Sequence, residues 1–121
     1  MAVGVGMGAF GAHALRDRLA PEMLAVYQTG VLYHLVHGLG ALLVAVLTGS
    51  GTRHPSRGAI AGWLFLAGIV FFSGSLYLLA LTGTRWLGAI TPLGGLAWIA
   101  AWVVLATSAL DPRAPRDKRS R

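Results

Sequence analysis

Three stretches of this chain, Gly30 to Leu47, Ile60 to Leu81 and Trp86 to Ala109, contain no Asp, Glu, Lys or Arg. Each has the roughly 17 to 25 residues, mostly apolar, that a helix needs to cross a bilayer. Backbone N–H and C=O groups in hydrocarbon must be satisfied without water, and a continuous helix does this within a single segment. Membrane-embedded helices are therefore the expectation. A fourth run, Met1 to Leu15, is also apolar. It reaches only about 22 Å at 1.5 Å per residue, against a hydrocarbon core of roughly 30 Å. A start upstream of Met1 would supply the missing length. The run lacks the basic beginning and downstream cleavage pattern of a signal peptide, so it reads as a first span.

The breaks between the runs set the connectivity. Arg16, Asp17 and Arg18 end the first run, and Pro21 followed by Glu22 opens a helix, since Pro suits the first turn and Glu the positive end of the helix dipole. Tyr27 is expected at the interface as an anchor. The stretch from Thr48 to Gly58, TGSGTRHPSRG, is a polar loop, and LTGTRW from Leu81 offers Gly83 as a helix stop and Thr84 as the next cap. The expected fold is all-α: a four-helix transmembrane bundle of helical hairpins with both termini on the same side. One membrane domain covers 1–110, with spans at about 1–15, 24–48, 59–82 and 86–109, and a basic flexible tail follows at 111–121. Seventeen glycines fit such a bundle, because small residues let helices approach closely where lipid gives no hydrophobic drive between them. Gly4, Gly8 and Ala12 form one such stripe.

Of the ten basic residues, Arg53, Arg57, Arg113, Arg116, Lys118, Arg119 and Arg121 fall on one side of this topology and Arg16, Arg18 and Arg85 on the other. The excess places both termini in the cytoplasm. The net charge of +6 is concentrated in the tail and points to anionic lipid headgroups rather than nucleic acid. The absence of cysteine excludes disulfides and thiolate chemistry.

The polar residues inside the spans are the candidate site. Counting 1.5 Å per residue from the cytoplasmic face puts His37 at about 16 Å, His34 and Ser73 at about 20 Å, Ser75 at about 22 Å and Tyr77 at about 25 Å. Thr91 falls near 22 Å and His13 near 25 Å by the same measure. With Tyr33 beside His34, these eight residues share one layer. His34 and His37 are three apart and lie on one helical face with Gly30, Gly38 and Ala41, so that face is expected to look inward. His34 is expected to meet a polar group of the third or fourth span, with Ser73, Ser75 and Thr91 as the first partners, and His37 to be the more tightly packed. Pro92 has no N–H, so it should kink the fourth span and turn a free carbonyl inward.

Three readings of this layer stand side by side. Hydrogen-bonded packing between helices needs nothing more. A proton or small-solute path would use imidazoles that titrate near neutral pH. A metal, haem or quinone site would use His34 and His37 as ligands. Because no span carries Asp or Glu, both functional readings lack the carboxylates that usually accompany them. Trp63 and Trp86 suit interfacial belts, while Trp98 and Trp102 suit packing. No nucleophile stands beside a base, and GVGMGAFG does not follow a strand as a dinucleotide fingerprint must. No enzyme is expected, and no metal or other cofactor is assigned.

Four motifs, GAFGAHALR at 8–16, YQTGVLYHLVH at 27–37, FSGSLYLLALTG at 72–83 and ITPLGGLAWIAAW at 90–102, occur in that order. Together they resemble the YgdD/YwdK-like small bacterial inner-membrane proteins, a domain-of-unknown-function group with a mitochondrial transmembrane relative. The resemblance implies four spans and a bacterial plasma membrane, and it brings no catalytic residue. The chain differs in its short first span and longer basic tail. A structural or assembly role in the membrane is the leading expectation, with the bilayer and either further copies or a larger membrane complex as partners.

Overall fold

The computed structural model describes residues 1–49 and 55–109; Arg53, His54 and the basic stretch at 111–121 lie outside the described residues. Helix α1, Ala2–Phe10, passes into a π-helical segment, Gly11–Leu15. Helix α2 is Pro21–Gly49. Helix α3, Pro55–Gly68, continues through a second π-helical segment, Ile69–Gly74, into α4, Ser75–Thr82. A 3-10 turn at Arg85–Ala89 leads into α5, Thr91–Ala109. Three stretches, Pro21–Gly49, Pro55–Thr82 and Arg85–Ser108, are long and apolar enough to cross a membrane, and Ala2–Leu15 is apolar but shorter. The protein is an all-α bundle of four helical stretches, with no strand among the described residues.

The punctuation works largely as the side chains dictate. Helix α2 begins at Pro21 with Glu22 in its first turn. Helix α4 stops at Gly83, whose φ of 69° is open to glycine, and the Gly83 N–H closes the helix on the Leu79 carbonyl at 2.9 Å. Thr84 holds the cap position of the 3-10 turn without a side-chain cap bond; its hydroxyl instead accepts from Thr82 Oγ1 at 2.9 Å. Pro92 departs from expectation. It lies in the first turn of α5, directly after the 3-10 turn, and faces outward. A proline in a first turn removes an N–H that would have no helical partner anyway, so Pro92 starts a helix here and does not kink one.

Packing rests on glycines that seat larger side chains. Helix α1 runs antiparallel to α2, with Gly38 against Met1, Gly4 against Leu35 and His34, Gly8 against Val31 and Gly11 against the Tyr27 ring. The third small residue of that stripe is Gly11, because Ala12 faces outward. Further along, Gly30 receives the Tyr77 ring, Gly40 the Phe65 ring, Gly68 the Trp98 indole, and Gly94 abuts the backbone of Phe72. Lipid provides no hydrophobic pressure between helices, so contact of this kind carries the association. Two clusters result: Val44, Ala61, Phe65, Trp98 and Ala101 in one half, and Leu15, Tyr27, Tyr77 and Ala80 in the other.

Candidate functional site

The two histidines of α2 are equally buried, each 8% exposed, yet they serve different neighbours. The His34 ring packs against Gly4 of α1, and its Nδ1 lies 3.3 Å from the Tyr77 hydroxyl of α4. Tyr77 is therefore the partner, in place of Ser73, Ser75 or Thr91, because the ring seated on Gly30 carries its hydroxyl to the imidazole. The Tyr77 ring also leans on Tyr27 with centroids 4.9 Å apart. Tyr27 is wholly enclosed, and its hydroxyl donates to the Met7 carbonyl at 3.0 Å. It is a core residue and not an interfacial anchor, because Gly11 leaves room for the ring beneath α1. A chain of contacts thus links α1, α2 and α4.

His37 belongs to an aromatic stack. Its ring lies parallel to Trp98 with centroids 3.6 Å apart, and Phe65 and Trp102 approach from the sides. His37 Nδ1 is 2.9 Å from the Tyr33 carbonyl. A carbonyl can only accept, so Nδ1 carries the proton. Tyr33 faces partly outward and stacks with both His37 and Trp98. The Trp98 Nε1–H donates to the Phe65 carbonyl at 3.2 Å, which ties α5 to α3.

The remaining candidates divide. Ser75 Oγ donates to the Phe72 carbonyl at 2.9 Å and lies 2.8 Å from Thr91 Oγ1, joining α4 to the start of α5. Ser73 Oγ is enclosed without a partner. His13 faces outward on the first π-helical segment and makes no hydrogen bond or ring contact with the other seven. The single polar layer is therefore three local groups: Tyr27–Tyr77–His34, Ser75–Thr91, and His37 with Tyr33 and Trp98. Reading the sequence missed Tyr27 and Trp98 as members; the glycines facing them, Gly11 and Gly68, were the available signal.

Beside the first two groups runs a groove of about 400 Å³, bordered by His34, Ser75 and Tyr77 and by the apolar side chains of Val70, Phe71 and Leu78. Among the described residues no three His, Asp or Glu side chains converge as metal ligands would, and His34 and His37 engage different helices. No serine hydroxyl is bonded to an imidazole among the described residues.

Over residues 7–95 the chain matches a family described as "Protein of unknown function (DUF423)". It is similar to the UPF0382 membrane protein YwdK of Bacillus subtilis, 48% identical over 108 residues that cover 88% of this chain and 85% of the relative. A UPF0382 membrane protein of Staphylococcus haemolyticus is 49% identical over 104 residues, covering 86% and 83%. No solved structure matches the chain.

Proposed function

The chain belongs to the DUF423 family of bacterial membrane proteins, and from that premise we propose that it is a non-enzymatic assembly element, a compact bundle offering its outer helix faces to neighbours in the plane of the plasma membrane. One observation carries this reading: the buried polar groups are largely engaged with one another across helices. Met7 to Tyr27, His34 to Tyr77, Ser75 to Thr91 and Trp98 to Phe65 are closed local contacts, the pattern of polar residues used as fasteners. Proton or solute passage would call for a file of such groups running from face to face. Of the three long stretches, the one containing helix α5 is the most available to a neighbour. The stretch containing it is 17% buried, against 33% and 39% for the other two long stretches, and Leu93, Leu96, Ile99 and Val103 all point away from the bundle.

The native chain has no cysteine, so one introduced thiol is unique. Oxidative cross-linking in native membranes of Ile99→Cys or Leu96→Cys is expected to give a discrete larger adduct, either a dimer or a complex with one other membrane protein. The chain in sealed vesicles is expected to conduct protons no faster than empty vesicles. Monomer alone at every outward α5 position, together with proton flux that disappears in His34→Ala, would replace this reading with passage.

A further inference from the structure

We propose that the furrow between α1 and α2 seats one glycerophospholipid, an inference that goes beyond the assembly reading and does not depend on it. The furrow exists because α1 meets α2 through glycine: Gly8 sits against Val31 and Gly11 against the Tyr27 ring, and neither glycine has a side chain to fill the space beside it. What is left is a groove of about 260 Å³, bordered by Ala12 from the α1 side and by Gln28, Leu32 and Leu35 of α2. Ala12, Gln28 and Leu32 are exposed, so the groove opens sideways to lipid.

The chemistry along the groove is ordered, and the order selects the occupant. Toward the middle of the membrane the walls are Gly8, Val31 and Leu35, all apolar. Gln28 lies higher. The 29 residues of α2 overhang a hydrocarbon core of roughly 30 Å by about 7 Å at each end when the helix is centred, which puts Gln28 about 4 Å inside the boundary. Its amide has no hydrogen-bond partner among the described residues, and it can donate to the ester carbonyls of a glycerolipid, which lie near this level. Arg16 lies higher again. The helical path continues into it, with φ −52° and ψ −43°, so it stands one turn beyond Ala12 on nearly the same face, about 6 Å nearer the water. It is exposed and makes no ion pair among the described residues, and a guanidinium matches a phosphate in both charge and shape. The acidic neighbours are turned aside: Asp17 is about 100° further round from Arg16, and Glu22 about 120° round α2 from Gln28. From core to surface, apolar walls, an amide and a lone guanidinium thus follow the order of acyl chain, ester and phosphodiester. A bare hydrocarbon chain would leave the amide and the guanidinium unanswered, and a soluble phosphate would leave the apolar walls empty.

The full chain, freed of lipid in maltoside micelles, is titrated with dioleoyl phosphatidylglycerol and followed by native mass spectrometry. Binding is expected to saturate at one lipid per chain, and dioleoylglycerol, which has the chains and esters without the phosphate, should bind at least tenfold more weakly. With a diazirine midway along one acyl chain, cross-links should map to 8–12 and 31–35. Arg16→Gln removes the charge in an exposed turn, so affinity should fall about tenfold. Ala12→Phe, at an outward-facing position, fills the groove and should abolish the discrete adduct, while Leu96→Phe on the outer face of α5 should leave it unchanged. Either of the first two variants carries the test alone if the other does not fold. Binding that does not saturate, dioleoylglycerol that binds as well as the phospholipid, cross-links elsewhere, or full affinity in folded Arg16→Gln or Ala12→Phe overturns the proposal.

Discussion

A buried hydroxyl can fasten a helix or burden it, and the third span has both kinds within five residues. Tyr77 reaches His34, whereas Ser73 Oγ is enclosed with no partner. An unmade hydrogen bond in an enclosed site costs about 1–3 kcal/mol, and a made one between membrane helices contributes about 0.6 kcal/mol on average. Ser73→Ala should therefore stabilise the bundle by about 1 kcal/mol, and Tyr77→Phe should weaken it by about that amount. Reversible unfolding in mixed micelles with increasing SDS measures both; a destabilised Ser73→Ala would show that the hydroxyl has a partner after all. At the same scale, His34→Gln should keep the abundance of the wild type because an amide donates and accepts, while His34→Leu should lower it by stranding the Tyr77 hydroxyl.

At the scale of helices, glycine placement decides which substitutions matter. A Cβ on Gly94 would meet the main chain of Phe72, which cannot swing aside as a side-chain tip can, whereas a Cβ on Gly6 would meet nothing within 4 Å. Gly94→Ala is expected to cost about 3 kcal/mol and Gly6→Ala nothing, or to stabilise by up to about 1 kcal/mol through helix propensity. Equal effects in the same SDS titration would rule out glycine seating as the source of packing. This scale also shows what the sequence could and could not reveal. Charge-free runs and the Pro21–Glu22 and Gly83 breaks made the helical stretches legible, because membrane length and backbone satisfaction leave few alternatives. The facing of Gly11 to Tyr27, Gly68 to Trp98 and Tyr77 to His34 was not legible, since depth counting locates a residue along a helix axis but not around it. Pro92 was misread for a related reason: its effect depends on whether a helix has already begun, and the preceding turn is 3-10.

At the scale of the whole molecule, the proposed orientation can be tested apart from the fold. With both termini cytoplasmic, Trp86→Cys, in the 3-10 turn between α4 and α5, should react in intact cells with an impermeant maleimide, and Ser56→Cys, at the start of α3, only after permeabilisation. The opposite labelling pattern reverses the topology and leaves the bundle unchanged.

The π-helical turn between α3 and α4 has a consequence that reaches across the molecule. In unbroken α-helix, at 100° per residue, Tyr77 would stand about 120° round the axis from Phe65. Phe65 nevertheless seats on Gly40 and Tyr77 on Gly30, two points of the same helix α2. The wider turn at Ile69–Gly74 takes up extra chain without a matching rotation, so it works as a phase corrector between two gear trains that share one shaft. Removing a single residue there would leave the span helical and nearly as long, but its upper and lower teeth could no longer mesh with α2 at the same time.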